Sequence, residues 1–253
     1  MITAFAFTAL IMLIFVLGIW TWYLMTRNPS IVDVCWSIGI FICGSSYLYL
    51  QLPKGQVNLR DMMVWLLLLA WAGRLAGFLW VTRIAKGKHD PRYQAISQGW
   101  KISKEMGFLL NYALQGFLML MVALPFLFIP KANSPFEWML ILLIILALIG
   151  ESIADWQLNA FKKTSHGVCN VGLWQYSRHP NYFFEWVIWL GFALLGVSAD
   201  HGWFSLLSPL ILFIIFFFVT GPITERQSLL SRGDAFKEYQ RTTSFIIPWF
   251  RSK

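Results

Sequence analysis

Charge is scarce in this chain: Asp, Glu, Lys and Arg make up 13% of its 253 residues, against 58% hydrophobic ones, where a soluble domain carries about 25% charge. That balance excludes an ordinary water-soluble domain. Cysteine is sparser still. Cys35, Cys43 and Cys169 show no CxxC spacing and no His array beside them, which excludes a disulfide framework and a structural zinc module. Internal repeats, low-complexity stretches and long linkers are also missing, so residues 1–253 read as a single membrane domain. Nucleic-acid binding is excluded because the basic residues lie beside apolar stretches and not on a soluble module.

What the chain has in abundance is apolar and aromatic surface, with 22 Phe and 14 Trp. Seven apolar stretches, near 2–25, 31–52, 61–82, 107–129, 136–156, 183–199 and 203–223, each approach the roughly 20 residues that cross a ~30 Å hydrocarbon layer. The predicted fold is therefore all-α and polytopic, with seven transmembrane helices, a tail at 224–253 and cytoplasmic loops that form a nucleotide site. Residues 2–25 lack a basic n-region and a small-residue cleavage site, and read as a retained span.

The bases orient this bundle. Sixteen of the 20 Lys and Arg fall on the side of residues 26–30, 83–104, 157–181 and the tail. Three, Lys54, Arg60 and Lys131, fall on the other side, and Arg74 lies within a span. The positive-inside rule then places the N-terminus outside and the C-terminus in the cytoplasm. Setting topology and touching anionic headgroups is a sufficient role for bases such as Lys86 and Lys88.

Ionisable residues inside spans are costly in lipid and mark sites by default. Asp33 in "SIVDVCWSIG" and Arg74 in "WAGRLAGF" are the clearest; they form a structural ion pair or line a substrate cavity, and a pair can do both. In "GESIADWQLNAFKK", Glu151, Asp155, Asn159 and Lys162 share one helical face. That face is suited to ribose hydroxyls, an adenine amine and a phosphate, or is simply a solvated helix end.

In "SRHPNYFFE", Pro180 suits the first turn of a helix that starts at the membrane lip. The N–H groups and dipole of that helix start, with Arg178 and His179 ahead of it, suit an anion. Asn181 and Glu185 share one face beyond it, and Tyr182 stands between them as a further contact or as an interfacial aromatic. The tail adds Glu225 and Arg226 at the exit of the last span, followed by Phe236, Tyr239, Phe245 and Trp249. It closes over a cofactor or lies in the interface as an amphipathic segment.

Five segments, "GLWQYSRHPNYFFEWVIWLG", "ADWQLNAFK", "SIVDVCW", "WAGRL" and "DPRYQ", resemble the DUF1295-like family of bacterial membrane proteins related to the C-terminal domain of steroid 5α-reductases. The resemblance spans nearly the whole chain. It implies a seven-helix enzyme of an inner membrane or endoplasmic reticulum that binds NADPH on the cytoplasmic side and reduces a C=C bond conjugated to a carbonyl in an apolar, lipid-like substrate. Carried over by position, the NADPH contacts fall on Asp155, Lys162, Asn181 and Glu185. Arg74 and Arg83 match basic positions after the third span, and Arg178, His179 and Tyr182 belong to the same block. Glu151, Glu225 and Arg226 complete the candidate nucleotide set.

The chain departs from the steroid reductases on the substrate side. Their Gln-Glu pair has no counterpart beyond Asp33, their substrate-holding Tyr reads as Trp71, and a His-containing tail motif becomes Glu225-Arg226. Asp33, in its protonated form, is then the candidate that polarises the carbonyl, with Arg74 beside it favouring the carboxylate. "RHPNY", "TERQSLL" and "FKEYQRTTSFIIP" are also similar to isoprenylcysteine and phospholipid methyltransferases, which bind S-adenosylmethionine. Their paired Glu-Glu is here a single Glu225 followed by Arg.

Overall fold

The computed structural model describes residues 1–52, 57–85, 91–133 and 135–251, without the side chains at 83, 91, 92, 94 and 95. Among the described residues the chain is helical and has no β-strand, only one isolated bridge between Ser177 and Ser244. Its helices are α1 (Ile2–Thr26), α2 (Ile31–Gln51), α3 (Leu59–Leu79), α4 (Pro91–Gln98), α5 (Lys104–Val122), α6 (Pro125–Phe128), α7 (Glu137–Thr164), α8 (Pro180–Gly196), α9 (Leu207–Ile214), α10 (Gly221–Arg232) and α11 (Asp234–Thr242).

Six helical runs among the described residues are long and apolar enough to cross a membrane: α1, α2, α3 with the turn after it, α5, α7 and the run Gly202–Arg232 that contains α9 and α10. The predicted span at 183–199 falls on α8, whose 17 residues rise only about 25 Å, less than the ~30 Å hydrocarbon layer. The predicted stretch 107–129 is also divided. α5 stops at Val122, and Pro125 and Pro130 give the following residues two short turns of their own. In contrast, α7 runs on for 28 residues to Thr164, so its polar end belongs to one unbroken helix.

The contacts divide the chain into two compact units, Met1–Ser134 with Leu195–Ser208, and Pro135–Leu194 with Pro209–Lys253. In the first unit α2 is the central helix, packed against α1, α3, α5 and α6. Small residues let these helices close: a Cβ on Gly39 would sit 2.4 Å from Met119 Sδ, the close approach that small residues permit between membrane helices. Trp71, Tyr47, Tyr112 and Phe126 fill the interior with no exposure. Caps fix two entries, with Asn58 Oδ1 accepting from the Asp61 N–H at 2.8 Å and Ser103 Oγ from the Met106 N–H at 3.3 Å.

In the second unit α7 and α8 pack closely, Phe184 lying where a side chain on Gly150 would go and Ile144 where one on Gly191 would go. The run from α9 to α10 contains a π-helical turn over Ile215–Thr220, a local widening of the helix that often accompanies functional sites.

Candidate functional site

The polar face predicted on α7 is present, and it is graded. Glu151 and Asp155 are buried, Asn159 is half-buried and Lys162 is exposed, as expected for a face that runs from the helix interior to the helix end. The loop after α7 is tied back onto the same helix. Gln157 Oε1 accepts from the Leu173 N–H at 2.9 Å, and Trp174 Nε1 donates to the Ala154 carbonyl at 2.9 Å. Gly172 takes φ +58°, and a Cβ there would meet Gln157 at 2.4 Å. The left-handed backbone favours glycine there.

That loop delivers the chain to α8. Asn181 Nδ2 donates to Asp155 Oδ1 at 3.4 Å, a long hydrogen bond, while Asn181 Oδ1 is buried with no hydrogen-bond partner. Glu185, one turn on, accepts from Trp189 Nε1 at 3.0 Å. Asp155 and Asn181 are therefore brought together.

Arg178 and His179 face a different group. Arg178 Nε donates to Glu225 Oε1 at 2.6 Å, Nη2 reaches Oε2 at 3.4 Å, and Nη1 serves the carbonyls of Gln240 and Thr243 at 2.9 and 2.5 Å. Gln240 Nε2 donates to Glu225 Oε2 at 2.6 Å. His179 Nε2 lies 3.3 Å from Glu225 Oε1 without hydrogen-bond alignment. Its ring stacks on Tyr182 with centroids 4.8 Å apart, and Tyr182 stacks in turn on Phe216 of the π-helical turn at 4.7 Å.

The tail is held by backbone as much as by side chains. The Tyr239 hydroxyl donates to the Trp174 and Ser177 carbonyls, Ser177 Oγ donates to the Ile246 carbonyl at 2.6 Å, and the Arg178 N–H donates to the Ser244 carbonyl at 2.9 Å. Residues 239–246 thus form a strap bound to the loop before α8. Burial pushes the Tyr239 phenol up from its ordinary value, which keeps it a donor. Of the predicted aromatic stripe, Phe236 and Tyr239 are buried, whereas Trp249 is exposed. Arg226, next to the hub carboxylate, is exposed and has no hydrogen-bond or ion-pair partner among the described residues.

In the first unit Asp33 lies in the first turn of α2, and its Oδ1 accepts from the Tyr93 hydroxyl of α4 at 2.8 Å. Arg74 is half-buried within α3. The Arg83 side chain, Lys54, Lys86, Lys88, Asp90 and Lys253 lie outside the described residues. Three participants carried no role in the sequence reading: Tyr93, whose motif was visible but whose partner lies 60 residues away, and Gln240 and Ser177, which nothing in their neighbourhoods singled out.

Fold and cluster together define a multi-pass helical membrane protein in which a C-terminal strap closes on the start of a short helix. The family model described as "Protein of unknown function (DUF1295)" matches residues 19–243, and the chain belongs to that family, which is associated with steroid 5α-reductase-like membrane proteins. No curated protein and no solved structure matches the chain.

Proposed function

We propose that this chain is a membrane-embedded reductase that uses NADPH to saturate a C=C bond conjugated to a carbonyl in an apolar, lipid-like substrate. The observation that carries the reading is Asn181 Oδ1, a buried acceptor without a partner beside the Asp155 carboxylate. A buried amide oxygen left in that state is costly, and a ligand N–H or hydroxyl would satisfy it.

The residue types fit a nicotinamide nucleotide. Asp155 and Glu151 offer carboxylate acceptors on α7, and Lys162, exposed two turns beyond Asp155, offers a cation for a phosphate. Arg178 has Nε, Nη1 and Nη2 engaged by Glu225 and two carbonyls, so recognition of the 2′-phosphate falls to Lys162. When bound, NADPH supplies the hydride. On the substrate side the candidates are Asp33, whose Oδ1 accepts the Tyr93 hydroxyl proton, and Arg74, whose guanidinium N–H groups are of the type that stabilises negative charge developing on a carbonyl oxygen.

The topology that goes with this reading has seven spans, the short α8 among them, with the N-terminus outside and the C-terminus and nucleotide residues on the cytoplasmic side. The test is nucleotide binding by the purified chain in lipid. NADPH binding that weakens in Asn181→Ala supports the reading, and S-adenosylmethionine binding without NADPH binding replaces it with the methyltransferase.

A further inference from the structure

Arg226 is among the residues that line an open cleft of about 370 Å³, a size within the range of small-ligand sites. Its apolar lining is Phe217, Pro222, Leu229 and Phe245, and its polar lining includes the network of Arg178, Glu225 and Gln240. Those three groups are already matched to one another, which leaves Arg226 as the charged donor among the lining residues that is available to a ligand. Phe217 is also a wall of a second, narrower crevice of about 50 Å³, lined only by apolar side chains that include Phe183, Trp186, Phe213 and Ile246. The second unit therefore offers a cation, apolar cleft walls and an apolar crevice that share the Phe217 side chain.

A nucleotide is a poor match for that sequence of surfaces. Its ribose hydroxyls need free acceptors, and Glu225 is occupied by Arg178 and Gln240. An amphiphile with an acidic head and a hydrocarbon body matches each part. Position favours it too. The helical run Gly202–Arg232 has 31 residues, about 46 Å of rise, against a ~30 Å hydrocarbon layer, so its last turns lie at headgroup level. Leu230, Trp249 and Phe250 are 82%, 70% and 78% exposed, and apolar and aromatic side chains left outward at such a level anchor in the membrane interface.

We infer that this cleft is a binding site for an anionic membrane phospholipid, with the headgroup phosphate on Arg226 and the start of an acyl chain against Phe217, Leu229 and Phe245. The site is independent of the nucleotide reading and assigns Arg226 to lipid. One charge-assisted contact of this kind contributes about a tenfold change in affinity.

The experiment compares the full-length chain, delipidated in detergent and then placed in nanodiscs of phosphatidylcholine alone or of phosphatidylcholine mixed with phosphatidylglycerol. Retained phosphatidylglycerol is read by native mass spectrometry, and the melting temperature is read beside it. Arg226→Gln and Arg226→Glu are compared with Lys163→Glu, which makes the same charge change at an exposed position on α7. The expected result is selective retention of phosphatidylglycerol and a higher melting temperature in the mixed discs. Retention falls about tenfold in Arg226→Gln, further in Arg226→Glu and not in Lys163→Glu. Equal losses in Arg226→Glu and Lys163→Glu mean diffuse surface electrostatics and overturn the site. Displacement of the lipid by inorganic phosphate or by NADPH, with binding that does not require an acyl chain, overturns it as well.

Discussion

Arg178 and Glu225 meet at 2.6 Å with side chains only 12% and 10% exposed, and this pair joins the loop before α8 to the helix that leads into the C-terminal strap. A buried ion pair contributes little over an apolar replacement, but losing one partner leaves the other charge unmatched, at a cost of about 3–5 kcal/mol. Arg178→Met should therefore lower the melting temperature in detergent and release the strap, since the same guanidinium also holds the Gln240 and Thr243 carbonyls. Limited proteolysis should cut after Arg232 faster than in the parent chain. An unchanged cleavage rate would mean that backbone contacts alone hold the strap.

Nucleotide binding should depend on α7 and the start of α8. Asn181→Ala and Asp155→Asn should each weaken NADPH binding by roughly 1–3 kcal/mol, measured by titration calorimetry in detergent. Lys162→Ala should weaken NADPH more than NADH, because the group Lys162 is proposed to meet, the 2′-phosphate, is absent from NADH. Equal losses for both nucleotides would remove Lys162 from that role.

The polar face of α7 was legible because Glu151, Asp155, Asn159 and Lys162 lie at helical spacing within one continuous stretch, and one helix places them on one side. The relationship of Asp33 to Tyr93 was not, since the two residues are 60 positions apart and only tertiary packing joins them. The strap was hidden for another reason. It is held largely through the carbonyls of Trp174, Ser177, Ser244 and Ile246, and a carbonyl is the same atom in every residue. Arg178 and Glu225 were both visible as candidates, but a pattern of residue types does not reveal that each satisfies the other. Hydropathy placed a span at 183–199, where α8 begins earlier, at Pro180, and ends earlier, at Gly196, because Pro180 opens the helix ahead of the apolar run.

Turnover should separate from binding on the first unit's pair. Asp33→Asn and Tyr93→Phe should lower kcat for reduction of an apolar enone more than they change NADPH affinity, because Asp33, which Tyr93 holds through its hydrogen bond, is proposed to act on the substrate side and not on the nucleotide. A loss confined to NADPH binding would contradict that assignment.

Burial pushes the Cys169 thiol and the Tyr239 phenol up from their ordinary values. The folded chain then keeps these protons at a pH where the unfolded chain releases them. Their contribution to stability is whole below the ordinary thiol value of about 8.5 and declines as pH rises above it. The melting temperature should fall between neutral and alkaline pH, and Cys169→Ala should reduce the fall. A melting temperature indifferent to alkaline pH would contradict it.

Topology gives an independent check. Reporter fusions after Lys54 and Lys131 should read as outside, and fusions after Lys101, Lys163 and Lys253 as cytoplasmic, from the sixteen-to-three division of bases. A cytoplasmic reading at Lys131 would overturn the seven-span arrangement.

The most direct test of the reductase reading is NADPH consumption by the purified chain in lipid, followed at the nicotinamide absorbance with a panel of apolar α,β-unsaturated ketones that includes a 4-ene-3-keto steroid. The account predicts enone-dependent oxidation of NADPH that is weakened by Asn181→Ala through KM and by Asp33→Asn through kcat. Micromolar binding of S-adenosylmethionine, with no NADPH binding and no response to Asp33→Asn, would contradict it.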